Sequence, residues 1–127
     1  MSVTLTDLGA ENFEFRANAW NWKTVLEIVK SFDIVSEAAL RQLNYNATGF
    51  SVEKDEAHAI GERIRNEILP RLAPNKRIFS DLSITDAPDD GTLYHDDAEK
   101  WKNYSASHDW LEEFSEFCLK SKGFQVF

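Results

Sequence analysis

Cysteine is nearly missing from the sequence: Cys118 is the only one, which excludes an internal disulfide. A chain without disulfides suits a reducing compartment. No apolar run is long enough to cross a bilayer. The first seven residues have neither a basic start nor an apolar stretch, so we expect no signal peptide. These absences predict a cytoplasmic protein without a membrane partner.

Proline and glycine are also scarce, with three and five residues respectively. The sequence contains no internal repeat, linker or low-complexity tract. Its 127 residues are 43% apolar and include nine phenylalanines and four tryptophans, enough for one ordinary core. Together these features predict one folded domain, residues 1–127, instead of a disordered chain.

Lysine and arginine are absent from residues 81–99, which we call the acidic segment. It contains seven acidic residues, whereas the rest of the chain has fifteen acids and fourteen bases. Nearly all of the net charge of −8 therefore lies in this segment. Such charge would repel nucleic acid and anionic membranes, and it would attract a basic protein or a cation.

Apolar residues recur at helical spacing in three stretches. These stretches predict a helix from Trp20 to Phe32, a longer helix after Ser51 and a last helix capped by Ser107. Ser36 is a suitable cap for a further short helix, which lies between the first two in the sequence.

Two residues should limit the longest helix. Pro70 should end or kink it near Leu69, because proline cannot continue the hydrogen-bonding pattern. Gly61 should weaken it by about 1 kcal/mol relative to alanine unless another element packs closely against it.

Alternation of apolar and polar residues occurs near the two ends of the sequence. Residues 3–5 and 13–15 show it, and so do residues 124–126, which could pair with a strand near the N-terminus. We therefore predict a mainly α domain with about four helices and one or two short terminal strands. An α+β domain with a small sheet is the alternative.

The acidic segment partly matches a calcium-binding loop. With Asp86 at the first position, Asp90 and Asp97 fall at the fifth and twelfth, and a glycine at the sixth. However, Pro88 at the third position has no ligating side chain, and the twelfth is not the usual bidentate glutamate. We therefore interpret the segment as a solvated acidic loop and predict neither a metal nor another cofactor.

The remaining candidates for catalysis are three histidines and the cysteine. His58, His95 and His108 are scattered and lack a second ligand at metal-binding spacing. Cys118 belongs to the apolar stripe of the last helix, which favours a buried thiol. There is no nucleophile elbow, phosphate-binding loop or dinucleotide fingerprint. The sequence thus leans away from an enzyme and predicts no catalytic residue.

The tryptophans have two possible roles. Trp20 and Trp22 would point to different faces of one helix, so one should be buried and the other partly exposed. Trp101 and Tyr104 follow the acidic segment closely. Exposed tryptophan is enriched in binding hot spots, but most aromatic stripes are packing, and core packing is the favoured interpretation.

Three stretches together resemble a known group of proteins. They are Trp20-Asn21-Trp22, Asn46 through Gly49, and the ending from Phe114 to Val126. They resemble an uncharacterised family of small bacterial proteins that has a Trp-rich N-terminal helix and a C-terminal Phe-x-x-Phe-Cys-x-x-Ser-x-Gly-Phe motif. The resemblance implies a bacterial origin and brings no mechanism.

These observations predict a non-catalytic binding protein that presents an acidic surface to a basic protein, as an immunity protein or inhibitor does. The predicted contact residues are Asp86, Asp89, Asp90, Asp96, Asp97, Trp101 and Tyr104. One alternative is a small enzyme that uses a carboxylate with His95 or His108, with or without a divalent metal. Another is self-association through an exposed tryptophan.

Overall fold

The computed structural model describes residues 2–9, 13–44, 50–86 and 93–127. Within these ranges the chain forms seven strands and four α-helices. In chain order they are β1 (Ser2–Asp7), β2 (Glu14–Asn18), α1 (Ala19–Phe32), α2 (Glu37–Asn44), β3 (Phe50–Glu53), α3 (Lys54–Arg63), β4 (Arg77–Phe79), β5 (Ile84–Thr85), β6 (Ser105–Ser107), α4 (His108–Lys120) and β7 (Gly123–Val126). A π-turn (Ile64–Ile68) and a 3-10 turn (Leu69–Arg71) extend α3, and a second 3-10 turn covers Lys100–Asn103.

The prediction of a mainly α domain with one or two terminal strands is wrong, because the fold is α+β with two antiparallel sheets. The first sheet has the order β2-β1-β7-β3 and the second has the order β5-β4-β6. Four of the strands, β3 to β6, have only two to four residues each, too few to show an alternating pattern. Moreover, β2, β3 and β6 run directly into helices, whose periodicity dominates the sequence there.

The first sheet joins the two ends of the sequence. Leu5 of β1 pairs with Val126 of β7, so the predicted pairing of these two regions is present. Val3, Leu5, Phe124 and Val126 are buried, whereas the alternate residue Thr4 is half-buried. The core therefore lies on one face of this sheet, where α1 contacts β1 and α3 contacts β7.

Side-chain caps fix where the helices begin. The Ser107 hydroxyl accepts a hydrogen bond of 3.2 Å from the backbone N–H of Trp110, and Ser36 caps α2 through the N–H of Ala39 at 3.1 Å. Both caps are those predicted. At α1, Asn18 accepts from the N–H of Asn21 and donates its own N–H to the Asn21 side chain, a reciprocal capping box.

The helix α3 continues beyond its α-helical part, and Pro70 lies in the 3-10 turn at its end. Gly61 is buried against α4. A β-carbon built on Gly61 would lie 2.9 Å from the carbonyl oxygen of Ser115 and 2.9 Å from Cγ of Leu119. The glycine therefore permits the close approach of α3 and α4. This packing is the condition under which its lower helix propensity is offset.

Candidate partner-binding surface

Part of the acidic segment can be located in the fold. Asp86, Asp96 and Asp97 are exposed, while Asp89 and Asp90 lie outside the described residues. The calcium-loop pattern extends across residues 87–92, which are likewise outside them. Asp86 directly precedes this stretch, and Asp96 and Asp97 follow it.

The end of the acidic segment is anchored to the second sheet. The Trp101 ring packs edge-on against Phe79 of β4, with ring centroids 5.2 Å apart, and its Nε1 donates to the carbonyl of Ala98 at 3.1 Å. Tyr94 donates its N–H to the Asn103 side chain at 2.8 Å, and that side chain donates back to the Tyr94 carbonyl at 2.9 Å. The bonds between Tyr94 and Asn103 therefore close residues 94–103 into a loop, which we call the clasp. Asp96 and Asp97 lie within this loop.

Two lysines reduce the negative charge at this end of the segment. Nζ of Lys100 lies 3.1 Å from the Asp97 carboxylate, and Nζ of Lys102 lies 3.4 Å from that of Glu99. A count of charges along residues 81–99 misses both pairs, because the lysines follow just after the segment. Exposed ion pairs of this kind contribute little stability.

Tyr104 packs against α1, although its position in the sequence groups it with Trp101 and the acidic segment. Its ring centroid lies 5.1 Å from that of Trp20 in α1, and Nζ of Lys23 lies 4.5 Å from the Tyr104 centroid. Trp20 is 43% exposed. We call Trp20, Tyr104 and Lys23 the aromatic corner. Sequence reasoning missed Trp20 and Lys23 as neighbours of Tyr104 because the contact joins distant parts of the chain, although it anticipated that one of Trp20 and Trp22 would be exposed.

The tryptophans are divided between packing and surface. Trp22 is buried, and its Nε1 donates to the Leu43 carbonyl at 3.0 Å. Trp110 is half-buried and stacks on Phe114, with centroids 5.4 Å apart. Trp20 is therefore the most exposed of the four, and the interpretation of all tryptophans as core packing does not extend to it.

The histidines do not meet in one place. Nδ1 of His108 lies 3.3 Å from the Asp109 carboxylate and 3.9 Å from that of Glu112. His58 is bonded through Nε2 to the Ser121 carbonyl at 3.0 Å, and His95 is exposed. Within the described ranges, no three histidine, cysteine, aspartate or glutamate side chains are grouped so that they could hold a metal ion.

The Cys118 thiol is fully buried in α4. Burial raises its pKa strongly, because the thiolate would lose its hydration in an apolar environment. A nucleophilic cysteine needs the opposite environment. The thiol therefore acts as a small apolar side chain, as its sequence position indicates.

Two surface grooves lie along the helices. The first, of about 560 Å³, runs between α1 and α2 and has an apolar floor of Leu26 and Leu40. The second, of about 510 Å³, lies beside the π-turn. Its lining residues are Ser31, Phe32, Arg63, Asn66, Glu67, Ile68, Pro70, Arg71 and Leu82. Neither groove is lined by a histidine.

Among the described residues, no helix has the length and apolar character required to cross a membrane. Comparison with protein-family models, curated proteins and solved structures gave no match to this chain. The resemblance to the bacterial family with the closing Phe-x-x-Phe-Cys-x-x-Ser-x-Gly-Phe motif therefore stays a prediction.

Proposed function

We propose that this chain is a non-catalytic binding protein of the bacterial cytoplasm whose acidic segment docks against a basic protein, as an immunity protein or inhibitor does. The observation that supports this best is the exposure of Asp96 and Asp97 on a clasp fixed by Trp101 and Asn103. Because the clasp is already ordered, docking loses less conformational entropy than docking of a free loop would.

Electrostatics gives the surface its preference for a basic partner. Seven of the 22 acidic residues lie in the acidic segment, and complementary charge accelerates association at low salt. Lys100, the partner of Asp97, can swing aside because that pair is exposed. An arginine of the partner protein could then form bidentate bonds with the released Asp97 carboxylate.

The aromatic corner supplies an aromatic anchor, and its Tyr104 directly follows the clasp of residues 94–103 in the sequence. Trp20 is exposed, but its ring packs against the Tyr104 ring, and Nζ of Lys23 lies over that same Tyr104 ring. A tryptophan held in this way has little rotational freedom to lose on binding. Tryptophan and tyrosine are also the residues most enriched in binding hot spots. We therefore add Trp20 to the contact residues proposed from the sequence.

The test compares two variants with equal changes of charge. The first converts Asp89, Asp90, Asp96 and Asp97 to asparagine, and the second converts the exposed acids of α4, Asp109, Glu112, Glu113 and Glu116, to their amides. Tagged proteins are used to capture partners from the host lysate at low and high salt, and the affinity of the retained basic protein is then measured in purified form. We expect the first variant to lose at least tenfold in affinity and most of its salt dependence.

The α4 variant should retain the affinity of the unmodified protein, because its acidic segment is intact, although its net charge is changed as much as that of the first variant. Equal losses in both variants would mean that net charge alone attracts the partner. Unchanged affinity in the first variant would contradict the proposal directly. Short duplex DNA, as a polyanion, should not bind to any of the three proteins.

An enzyme remains the second candidate because His108 lies between two carboxylates, those of Asp109 and Glu112. Such a group could act as a general base. However, Asp109 and Glu112 are exposed and neither groove reaches His108. A hydrolase screen on pure protein, in which His108→Gln abolishes any activity found, would favour this candidate over the binding protein.

A further inference from the structure

The groove beside the π-turn contains two arginine side chains that are fixed but incompletely paired. Nε of Arg71 donates to the Glu67 carbonyl at 3.0 Å, and Nε of Arg63 pairs with the Glu67 carboxylate. The Arg63 guanidinium also lies over the Phe32 ring, 4.7 Å from its centroid. Within the described part of the chain, the Nη atoms of both arginines donate to no acceptor. Both arginines line the groove, and the described residues leave their Nη donors available for a ligand.

The backbone around these arginines departs from regular structure in two places. Ile64–Ile68 form a π-turn between Arg63 and Arg71, and both arginines contact Glu67, which lies four residues from each. Single π-turns inside helices occur frequently at functional sites. Leu82, which also lines the groove, has a φ of 70°, a left-handed conformation that a branched side chain adopts only at a cost.

The charges of the lining residues favour an anion. The lining contains two cations, Arg63 and Arg71, and one anion, Glu67. Asp81 adjoins Leu82 in sequence, but its carboxylate accepts from the N–H and the hydroxyl of Ser83 at 2.9 and 2.6 Å. The planar fork of arginine matches the oxygens of carboxylate and phosphate groups.

We propose that this groove binds a small ligand through a phosphate or carboxylate group, held by the Nη atoms of Arg63 and Arg71. The volume of about 510 Å³ is within the range of small-molecule sites. A large polyanion would be repelled by the overall charge, whereas a single oxyanion meets mainly the local field. This site needs neither the carboxylates of the acidic segment nor a protein partner, although Leu82 of its lining belongs to that segment.

The test uses inorganic phosphate and succinate as probes, with sodium chloride at equal ionic strength as the reference. Side-chain NMR signals of the arginine Nε–H groups are followed during titration. We expect saturable shifts for Arg63 and Arg71 with phosphate, with succinate or with both, and the tighter probe identifies the group that the site prefers. Chloride should cause only small shifts that do not saturate.

Three variants distinguish a specific anion-binding site from nonspecific electrostatic attraction. Arg71→Gln should weaken binding of the tighter probe at least tenfold, and Arg71→Lys should weaken it too, because it keeps the charge and removes the fork. Arg65→Gln is the matched control, since Arg65 is an exposed arginine in the same π-turn that does not line the groove. Circular dichroism verifies that each variant is folded. Absence of saturable shifts with both probes, or an equal loss in the Arg65 control, would overturn the proposal.

Discussion

The carboxylate of Asp7 accepts a hydrogen bond of 2.8 Å from the hydroxyl of Ser121, a contact that spans 114 residues and ties β1 to the end of α4. The same oxygen accepts from the N–H of Lys122 at 2.8 Å, and the second oxygen accepts from the N–H of Gly9 at 2.8 Å. Asp7 and Ser121 are both buried. A buried carboxylate is tolerated there because protein donors replace its water.

Replacement of Asp7 by alanine should lower the free energy of unfolding by about 1–3 kcal/mol, because it removes the acceptor shared by the buried Ser121 hydroxyl and the partly buried N–H groups of Gly9 and Lys122. Urea denaturation followed by tryptophan fluorescence measures this change. Asp97→Ala is the control, since its side chain is 95% exposed, and it should leave the midpoint unchanged. A loss for Asp7→Ala no larger than that of the control would show that the network contributes nothing.

Truncation of Trp22 should lower mainly the stability, whereas truncation of Trp20 should lower mainly the affinity for the partner. Trp22→Ala should cost about 3–5 kcal/mol of stability, because it opens a cavity and removes the donor for the Leu43 carbonyl. Trp20→Ala should cost much less, since 43% of the residue is exposed, but it should weaken binding of the basic partner. Thermal unfolding and affinity measurements on both variants give the comparison. Full affinity in folded Trp20→Ala would remove the aromatic corner from the interface.

Gly61→Ala should destabilise the protein by about 1–3 kcal/mol, although alanine is the better helix former. The added carbon would lie 2.9 Å from the backbone carbonyl of Ser115, which cannot move aside as a flexible side chain could. Ala38→Gly at an exposed position of α2 measures the propensity effect alone and should cost about 1 kcal/mol. A Gly61→Ala protein as stable as the parent would mean that the α3–α4 contact is looser than the structure indicates.

Burial of Cys118 predicts a dependence of stability on alkaline pH. Its pKa is raised in the folded state, so above the ordinary thiol value of 9.0 the unfolded chain loses a proton that the folded chain retains. The stability contributed is complete below pH 9.0 and declines as the pH rises above it, by up to about 1.4 kcal/mol per unit. Denaturation of Cys118→Ala over the same pH range should lack this component. Equal slopes in both proteins would contradict the assignment.

The same burial should protect the thiol from reagents. A disulfide exchange reagent at pH 8 should label Cys118 only after denaturation, because the native thiol is neither accessible nor ionised. Rapid labelling of the native protein would mean that α4 opens readily.

The helices were predictable because their signals are local. A stripe of apolar residues and a capping side chain lie within a few positions of each other, and Ser36 and Ser107 cap helices as predicted. The short strands were not predictable, since β4 and β6 owe their conformation to pairing with each other across Ile78 and Ala106. Each of these strands has too few residues for a period of two to be recognised.

The candidate sites show the same division between local and distant information. The excess of acid in residues 81–99 is visible in the sequence, but its partial neutralisation by Lys100 and Lys102 depends on side-chain geometry. The contact of Trp20 with Tyr104 joins residues that no periodicity relates. A π-turn has no sequence signature of its own, so the groove with Arg63 and Arg71 was missed entirely.

The strand order of the first sheet has a consequence for biosynthesis. β7 lies between β1 and β3 and is hydrogen-bonded to both, although it comes after the other six described strands in the chain. Until it leaves the ribosome, two earlier strands each expose an edge that can pair with another nascent chain. Polypeptides that stop before Gly123 would therefore be substrates for chaperones and proteases, and completion of this sheet would have to wait until β7 has left the ribosome.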